Sequence, residues 1–500
     1  MPSTESPRPA QSPHRTMTEL AALLGASVIS ADETARKIAG ITHDSRAIRP
    51  GDLYAALPGA HAHGADFALA AAGHGAAAML TDRPGPHPLP TIVVEKPREV
   101  LGRVASWVYD DPSRAMDVIG ITGTNGKTTT AYLIEAGLRG AGRSTGLIGT
   151  VETRIGAESL SSVHTTPEAP DLQALLALMR ERGVQSVPME VSSHGLALGR
   201  VDGTVYTAAV FTNLSQDHLD FHADMDDYFR AKAKLFDIKR SRVAVINVDD
   251  EAGERLLHLT RLPVTTTSAR GRSLADWRAT EIVQDSAGSS FRLHGPAGED
   301  VPIRLRMTGA YNVANALSAL AALASIGVDL EAAAAGMAGL AGVPGRLESI
   351  DAGQDFGAFV DFAHSPDSLA NVLQTLRPVT PGRLIVVLGC GGDRDRGKRP
   401  LMGTVATTYA DLAIVTSDNP RSEDPSSIIA AIVEGAVEGA ELEVEPDRRA
   451  AIDRAVALAA AGDTVLLAGK GHEPQQEFAD HVIDFDDRIE LRRAIETAAR

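Results

Sequence analysis

The sequence predicts an α/β protein of three domains that are built mainly on parallel sheets. The chain has 500 residues, and globular domains usually hold about 100–200 residues each. From residue 118 onward, short apolar runs alternate with stretches of helical apolar spacing. Near-continuous apolar strands that alternate with helices indicate parallel sheets covered on both faces.

Changes in composition divide the chain into four segments. Residues 1–16 are rich in Pro, Ser and Thr, which predicts a flexible tail. Residues 17–115 mix β-like runs with loops rich in Gly, His and Pro, and they end at an Asp-Asp-Pro linker. Residues 116–344 form the central domain, and residues 345–500 form a C-terminal domain that we expect to be Rossmann-like.

Apolar periodicity places the individual elements. In parallel sheets, ligands bind beyond the carboxyl ends of the strands, where most of the motifs below fall. The predicted strands are residues 78–80, 91–94, 118–122, 185–191, 206–213, 243–247, 358–361, 384–388, 412–416 and 465–468. The predicted helices are residues 127–138, 311–326, 368–376, 427–435 and 449–461.

Composition and charge exclude several classes of protein. Hydrophobic residues make up 44% and charged residues 23%, as in ordinary globular domains. The net charge of −17 argues against a general nucleic-acid binder. Cys390 is the only cysteine, so an intramolecular disulfide is excluded, which fits a reducing cytoplasm. No apolar run approaches the ~18–20 residues of a membrane span, and residues 1–16 lack the apolar core of a signal peptide.

The strongest motif is a glycine-rich turn between the strand at residues 118–122 and a helix. Glycines let the backbone wrap around phosphate oxygens, and the N–H groups of the turn and helix bind the anion. We expect Lys127 to neutralise phosphate and the Thr128 hydroxyl to ligate Mg²⁺. Ile121 stands where the strict P-loop pattern requires glycine, so a tight strand-to-helix turn is the alternative. The motif consists of Gly123, Thr124, Asn125, Gly126, Lys127, Thr128 and Thr129.

A second loop, at residues 392–399, matches the P-loop spacing but lacks its chemistry. Arg399 stands where a hydroxyl is needed for magnesium, and Asp393 and Asp395 would repel phosphate. We interpret this loop, with its mixed charges, as a site for a zwitterionic or carboxylate ligand. The alternative is a solvated charged turn.

Further candidates follow two other predicted strands. Glu190 ends an apolar run and is expected to hold Mg²⁺ directly or through water, unless it is simply a solvated strand end. His218 is a candidate metal ligand or water-orienting group, and the alternative is a structural histidine. Ser192 lacks the G-x-S-x-G context of a hydrolase nucleophile. From pattern alone, Lys232 is a solvated helix lysine.

Taken in order, these motifs resemble the Mur ligases, the ATP-dependent amide-forming enzymes of peptidoglycan assembly. The resemblance spans residues 41–488, and six motifs in one order are far more specific than one. The motifs are GTNGKTT at 123–129, EVSSHG at 190–195, QDHLD at 216–220, YNVANA at 311–316, GRLE at 345–348 and DFAHSP at 361–366.

The resemblance implies a catalytic centre between the central and C-terminal domains. Glu190, His218 and a carbamylated Lys232 would place the metals, with Lys234 as an alternative position for the carbamate. Asn315 and Arg346 would contact ATP. Asp361 would contact the nucleotide ribose or the acyl-phosphate region, and Arg346 would lie at an interdomain hinge.

The resemblance also implies where the nucleotide precursor binds. Leu198 stands where relatives can carry a polar residue, and Phe362 replaces a tyrosine often seen. The residues that match uridine-contacting positions are His43, Ser45, Ala60, His61 and Ala62. Those that match positions near the muramoyl peptide are His164, Thr165, Thr166, Ser192 and Arg200.

Within the family, the likeness is strongest to the ligases that add the third peptide residue. DNPR at 418–421 and GKGHE at 469–473 resemble the signature for meso-2,6-diaminopimelate. Diaminopimelate differs from lysine by one carboxylate, which a guanidinium grips with two hydrogen bonds. The residues implied in this site are Arg394, Asp418, Asn419, Pro420, Arg421, Gly469 and Glu473.

The implied reaction uses ATP and Mg²⁺ to activate the D-glutamyl carboxyl of UDP-N-acetylmuramoyl-L-alanyl-D-glutamate as an acyl phosphate, which the diaminopimelate amine then attacks. A cytoplasmic monomer is expected, without nucleic-acid partners. The alternatives are the same ligase acting with L-lysine or another diamine, a ligase resembling folylpolyglutamate synthetase, and a regulatory ATPase without ligase activity.

Overall fold

The computed structural model describes residues 7–26, 36–160, 164–285 and 288–498. It contains three large sheets, of four, eleven and six strands, which follow one another along the chain. Most neighbouring strands in these sheets are parallel and are joined through helices. The predicted α/β fold class with mostly parallel sheets is therefore confirmed. Within the described ranges, no helix combines the length and apolar character required to cross a bilayer.

The N-terminal sheet is fully parallel, in the order β3-β4-β5-β6. A small antiparallel pair, β1 with β2, lies beside it. The elements are β1 (Arg15–Thr16), α1 (Met17–Leu24), β2 (Lys37–Ile38), β3 (Gly40–Thr42), β4 (Asp52–Ala56), α2 (Ala68–Gly73), β5 (Ala78–Thr81), β6 (Thr91–Val93) and α3 (Pro97–Val108).

The segment at residues 7–16, which the sequence assigns to a flexible tail, contacts the folded protein. The Arg8 guanidinium donates to both carboxylate oxygens of buried Asp52, at 2.6 and 2.7 Å. The Ala10 amide donates to Glu181 in the central domain, and Thr16 caps α1. A partly buried ion pair therefore ties Arg8 to the N-terminal domain, and the flexibility of residues 1–16 stays a prediction. Residues 1–6 lie outside the described residues.

The central sheet has the order β10-β9-β8-β11-β7-β12-β13-β14-β15-β16-β17. Strands β8 to β15 in that order are parallel, and both ends of the sheet are antiparallel. Its strands are β7 (Asp117–Thr122), β8 (Gly146–Ile148), β9 (Thr153–Ile155), β10 (Glu158–Leu160), β11 (Ser186–Glu190), β12 (Tyr206–Phe211), β13 (Ser241–Asn247), β14 (Val264–Ser268), β15 (Trp277–Asp285), β16 (Gly288–His294) and β17 (Asp300–Leu305). Its helices are α4 (Lys127–Gly140), α5 (Ala169–Glu181), α6 (Ser193–Ala197), α7 (Met225–Ala233), α8 (Glu251–Leu257), α9 (Ala310–Ser325) and α10 (Leu330–Ala338).

The C-terminal sheet has the order β18-β19-β23-β20-β21-β22, and only β18 runs antiparallel to its neighbour. A separate hairpin pairs β24 with β25. The strands are β18 (Glu348–Ser349), β19 (Gly357–Asp361), β20 (Leu384–Leu388), β21 (Leu412–Val415), β22 (Leu442–Val444), β23 (Thr464–Ala468), β24 (Gln475–Glu477) and β25 (Val482–Asp484). The helices are α11 (Pro366–Leu376), α12 (Lys398–Tyr409), α13 (Pro425–Val433), α14 (Arg448–Leu458) and α15 (Asp487–Ala498).

Helix α4 positions the glycine-rich turn because it is buried along nearly its whole length. It packs against α9 and α10 over a core that includes Ile134, Leu138, Leu320 and Met337. Gly336 lets α10 approach closely, since a Cβ there would clash with the Ala136 carbonyl of α4. A helix held on several sides keeps the turn at its N-terminus in a fixed position.

A buried ion pair links two helices inside the C-terminal domain. Arg448, at the start of α14, donates to both carboxylate oxygens of Asp487 at the start of α15, at 2.8 and 2.6 Å. Both side chains are fully buried. The same guanidinium also donates to the carbonyls of Ser417 and Ala468, which follow β21 and end β23. One side chain therefore joins two helices to two strand ends.

We expect Asp487→Asn to destabilise the C-terminal domain by about 3–5 kcal/mol, because the Arg448 cation stays buried without its counter-charge. The matched control is Asp453→Asn, which breaks the exposed pair with Arg493 and should cost less than about 1 kcal/mol. Both tryptophans, Trp107 and Trp277, lie outside this domain. Hydrogen exchange of the β21 and β23 amides is therefore the suitable measurement, and equal protection in the two variants would contradict the prediction.

Candidate functional site

The glycine-rich turn between β7 and α4 adopts a conformation that depends on glycine. Gly123 and Gly126 have φ angles of +154° and +85°. A Cβ at Gly123 would clash with Thr212 Oγ1, and one at Gly126 would clash with Asn315 Oδ1. The turn therefore combines left-handed backbone with close contacts to two neighbouring segments, which only glycine allows.

The end of β12 holds this turn in place. The Thr124 amide donates to the Asn213 carbonyl and the Asn125 amide donates to Asn213 Oδ1, both at 2.9 Å. The Thr212 hydroxyl donates to the Asn125 carbonyl at 2.7 Å. These bonds fix the turn before any ligand arrives, which is what a preorganised anion site requires.

Two lysines converge on the turn. Lys127 Nζ donates to the carbonyls of Gly123 and Thr124 at 3.0 and 2.9 Å, and Lys232 Nζ donates to the same Gly123 carbonyl at 2.7 Å. Burial lowers the pKa of both amines, and the charge of Lys127 lowers the pKa of Lys232 further. Lys232 is buried over the Tyr228 ring, whereas Lys234 is exposed. Lys232, and not Lys234, therefore faces the phosphate turn.

Glu190 lies at the end of β11 with its carboxylate turned toward the turn. Thr128 donates to it at 3.0 Å, and the Thr150 amide and hydroxyl donate to it at 2.8 and 3.0 Å. Gly149 leaves room for this carboxylate, since a Cβ there would lie 2.5 Å from Glu190 Oε1. A buried carboxylate beside a hydroxyl offers the hard oxygen ligands that Mg²⁺ prefers.

His218 follows β12 in a left-handed conformation, with φ of +55°. Its ring lies 4.9 Å from the His194 ring and 6.0 Å from the Tyr228 ring, measured between centroids. Burial lowers the pKa of His218 to about 4, with Asp217 opposing and the charge of Lys127 adding to the effect. The imidazole is therefore neutral near pH 7 and can bind a cation through a ring nitrogen.

The C-terminal domain contacts the turn through Arg346. Its guanidinium donates to Thr128 Oγ1 at 3.1 Å and lies 4.6 Å from the centre of the Phe362 ring. Buried Asp361 accepts a hydrogen bond from the Leu347 amide at 2.6 Å. Burial raises the pKa of Asp361 to about 6, although the charge of Arg346 opposes the shift. Arg346, Asp361, Asn315 and the phosphate turn therefore form one site between two domains.

Three residues that the sequence analysis does not single out complete this site. Asp367 accepts from Asn125 Nδ2 and Ser215 Oγ at 3.0 and 2.8 Å, so it joins α11 to the phosphate turn. Thr150 and Asn213 hold Glu190 and the turn. Asp367 directly follows the DFAHSP motif, which is a signal that could have identified it; Thr150 lies in a loop with no comparable signal.

A second polar cluster lies at the carboxyl ends of β21 and β23. Asn419 Nδ2 donates to Glu473 at 2.8 Å, and buried Lys470 Nζ donates to Asn419 Oδ1 at 3.0 Å. Gly469 has φ of +110°, and a Cβ there would lie 2.6 Å from Asp418 Oδ2. Burial and the nearby charge of Asp418 raise the pKa of Glu473. The structure therefore brings Asp418, Asn419, Gly469 and Glu473 together.

The two arginines predicted to bind carboxylates differ in their surroundings. Arg421 is partly buried and hydrogen-bonds Glu477 and the Gly392 carbonyl. Arg394 is exposed, and its Nη1 donates to the Asp393 carbonyl at 3.0 Å. Pro420 is buried, and its carbonyl packs so closely on Gly392 that no Cβ would fit there.

The loop at residues 392–399 is not a phosphate loop in the structure. Arg399 donates to both oxygens of Glu423, at 3.1 and 2.9 Å, and Ser422 donates to Asp393 at 2.7 Å. The charged side chains of this loop are therefore largely paired with other groups of the protein. Arg394 and Arg396 are the loop's exposed arginines, and Arg396 pairs with Glu423 at 3.1 Å.

The residues predicted to bind the nucleotide precursor occupy two places. His43 and Ser45 follow β3, and Ala60, His61 and Ala62 form an exposed turn after β4, closed by a hydrogen bond from Gly59 to Ala62. Near Glu190, the Thr166 hydroxyl accepts a hydrogen bond from the Ser192 amide, and the Thr166 carbonyl accepts one from Arg200. Thr165 accepts from Thr150, and His164 is exposed in the same segment.

The fold and the site define a nucleotide-dependent enzyme in which a C-terminal α/β domain closes on a phosphate-binding turn. Three family descriptions match consecutive parts of the chain: the Mur ligase family catalytic domain at residues 37–109, the Mur ligase middle domain at 121–323 and the Mur ligase glutamate ligase domain at 345–471. The chain belongs to the Mur ligase family, whose members are ATP-dependent ligases.

Individual relatives resemble nearly the whole chain. UDP-N-acetylmuramoyl-L-alanyl-D-glutamate--2,6-diaminopimelate ligase of Streptomyces coelicolor is 55% identical over 499 residues, with 98% of each chain covered. The protein of the same name from Corynebacterium glutamicum is 50% identical over 477 residues, with 92% of each covered. A solved structure with that name is 34% identical, with a TM-score of 0.70 over 98% of this chain and 100% of the other. MurF of Acinetobacter baumannii shares the fold, with a TM-score of 0.68 at 20% identity over 92% of this chain and 96% of the other.

Two glycines at opposite ends of α4 provide a matched test of the phosphate turn. Gly126 and Gly142 both have positive φ, of +85° and +74°, but only a Cβ at Gly126 would meet another side chain. Alanine should cost about 1–2 kcal/mol of stability at Gly142, where only the left-handed backbone opposes it, and at least as much at Gly126, where Asn315 must also move. Only Gly126→Ala should also weaken ADP binding, by at least about tenfold. Titration calorimetry checks this, and equal ADP affinity in both variants would contradict it.

Proposed function

We propose that this protein joins meso-2,6-diaminopimelate to the D-glutamate of UDP-N-acetylmuramoyl-L-alanyl-D-glutamate, with conversion of ATP to ADP and phosphate. The observation that carries the proposal is the pairing of a phosphate turn with the cluster of Asn419, Arg421 and Glu473 in the C-terminal domain. Relatives that match the chain over 98% of its length carry the name of this activity.

Amide formation from a free carboxylate needs a better leaving group than oxide or hydroxide. In the proposed first step, an oxygen of the D-glutamyl γ-carboxylate attacks the γ-phosphorus of ATP, and ADP leaves. In the second step, the deprotonated amine of diaminopimelate attacks the acyl carbon, and inorganic phosphate leaves. Lys127 and Arg346 would balance the charge that spreads over the transferred phosphoryl group.

The residues present fit Mg²⁺. Thr128 Oγ1 and the Glu190 carboxylate lie 3.0 Å apart and are hard oxygen donors, and His218 adds a neutral imidazole. Bound there, the metal would neutralise phosphate charge and orient the transferred group. In the described ranges, no cluster of three or more His, Cys, Asp or Glu side chains has metal-binding geometry. ATP phosphates and a modified Lys232 would therefore have to supply further ligands.

A carbamate on Lys232 would supply such a ligand. The depressed pKa of this buried amine favours its neutral form, which is the form that adds carbon dioxide. The product is anionic, so it would replace repulsion between Lys232 and Lys127 by attraction. Burial beside Gly123 would also place the carbamate oxygens next to the phosphate turn.

The amino acid would bind in the cluster at the ends of β21 and β23. The Arg421 guanidinium, with Arg394, would bind carboxylate, and Glu473 with Asp418 would pair with ammonium. Gly469 keeps the backbone close to Asp418. The peptide-bearing precursor would reach from the N-terminal domain, at His43, Ser45 and residues 60–62, past His164, Thr165, Thr166, Ser192 and Arg200, to the acyl-phosphate position.

We further propose that the protein acts as a monomer in the cytoplasm, a reducing compartment that suits the free thiol of its one cysteine, Cys390. The experiments distinguish this function from three others. They are ligation of L-lysine or another diamine, a folylpolyglutamate-type ligation, and ATP turnover that is independent of any amino acid.

Lys232 and Lys234 provide a matched pair for the metal site. Lys232→Ala should lower phosphate release at least about 100-fold, because it removes a group beside the transferred phosphoryl. Lys234→Ala should leave turnover unchanged, since this side chain is exposed. Crystals grown with bicarbonate should show a planar carbamate on Lys232. A bare amine in that density would reject the carbamate and leave the lysine itself as the acting group.

The activity itself is tested by a panel of amino acids with UDP-N-acetylmuramoyl-L-alanyl-D-glutamate, following ADP formation. meso-2,6-Diaminopimelate should support turnover far better than L-lysine. Arg421→Asn should raise the Michaelis constant for diaminopimelate about tenfold or more, because a charged hydrogen bond contributes about 1.5–3 kcal/mol. If the purified protein forms no ADP with the precursor and diaminopimelate, the proposed function is wrong; if lysine is preferred, only the amino acid is wrong.

A further inference from the structure

Arg421 already has a carboxylate partner within the protein. Its Nε donates to Glu477 Oε2 at 2.9 Å, and its Nη1 donates to the Gly392 carbonyl at 2.9 Å. Among the described residues, no hydrogen bond is formed by Nη2. The Arg421 side chain is 24% exposed and that of Glu477 is 47% exposed, so the pair lies at the mouth of the amino-acid cluster rather than in the core.

The backbone fixes these two residues beside each other. The Arg421 amide donates to the Glu477 carbonyl, and the Glu477 amide donates to Asn419 Oδ1, both at 3.1 Å. Glu477 ends β24, opposite Val482 of β25 in the hairpin. Arg421 has a φ of +52°, so its backbone is held in an unusual conformation at this contact. The Glu477 carboxylate can therefore move without loosening the motif, because separate bonds hold the backbone.

A carboxylate can form two parallel hydrogen bonds along the edge of the guanidinium made by Nε and Nη2. The other edge is a poorer partner, because Nη1 already donates to the Gly392 carbonyl. Glu477 occupies half of the Nε and Nη2 edge. A second carboxylate on the same edge would face it at a few ångströms, where like charges repel. The substrate carboxylate and the Glu477 carboxylate therefore cannot both form their full hydrogen bonds to this edge.

We propose that Glu477 determines specificity by competing with the substrate carboxylate for Arg421. Its carboxylate holds the guanidinium when no amino acid is bound, and moves into solvent when the carboxylate of diaminopimelate takes the Nε and Nη2 edge. This inference rests on the proposed function, since it assigns Arg421 to the amino-acid substrate. Glu477 acts through Arg421 and does not touch the reacting atoms.

The competition explains in a specific way why we expect lysine to be a poor substrate. A lysine molecule lacks the extra carboxylate, but it does not leave Arg421 without a partner, because Glu477 stays in place. Lysine therefore forgoes a favourable contact and suffers no penalty from a buried unpaired cation. Removing the Glu477 charge should strengthen diaminopimelate binding and leave lysine binding unchanged, so discrimination should increase.

The test compares Glu477→Gln and Glu477→Ala with Glu438→Gln, an exposed glutamate of the same domain. With saturating ATP and precursor, both Glu477 variants should lower the Michaelis constant for diaminopimelate about two- to fivefold, the range expected for releasing a partly exposed ion pair. The value of kcat, and kcat/KM for lysine, should stay at the wild-type level. Glu438→Gln should match the wild type throughout.

A Michaelis constant for diaminopimelate that rises in either Glu477 variant would overturn the proposal, because it would mean that Glu477 supports Arg421 instead of competing with the substrate. Values equal to those of Glu438→Gln would also overturn it. Thermal melting checks that the variants are folded. Failure of the proposed function is distinguishable, since the wild-type protein would then form no ADP with diaminopimelate.

Discussion

Two lysine side chains share one carbonyl oxygen, that of Gly123, and the rest of the site depends on this arrangement. Lys127 and Lys232 donate to it at 3.0 and 2.7 Å. Burial lowers the pKa of Lys232 well below its usual range, and repulsion by the nearby Lys127 ammonium lowers it further. Anionic groups are needed to relieve the repulsion. The phosphates of ATP supply negative charge on one side, and a carbamate on Lys232 would supply it on the other.

The net charge of −17 explains why anion binding here depends on local donors. A protein with an acidic surface cannot attract a nucleotide by its overall field, so fixed donors must act over short distances. These donors are Lys127 and the amides at the start of α4, together with Arg346, which reaches the turn from the C-terminal domain. Because the protein holds these donors in place beforehand, little reorganisation is needed when the phosphoryl group is transferred.

The sequence predicts the parallel strands that are continuous apolar runs. It misses other strands with parallel neighbours, namely β3, β4, β8, β14 and β22, and it misses the antiparallel edges. The strand Leu384–Leu388 is predicted residue for residue, because buried parallel strands are continuous apolar runs. Strands β15 to β17 were not predicted, since they are half exposed and alternate polar with apolar residues. For the site, spacing alone could not separate Lys232 from Lys234, because burial is decided by how α7 packs under the turn. Glu477 lies 56 residues from Arg421, and no pattern in the sequence connects them.

The contacts between the central and C-terminal domains are of a kind that allows repeated opening. Asp367 is held by the Asn125 amide and the Ser215 hydroxyl, which are neutral donors, and Arg346 reaches a hydroxyl on Thr128. Hydrogen bonds with one charged partner contribute only about 1.5–3 kcal/mol each. A buried ion pair such as Arg448 with Asp487 is costly to break and is confined to the interior of one domain. Strong pairs within domains and weaker bonds between them let the C-terminal domain bring an amine to an activated carboxyl, exclude water, and release the product.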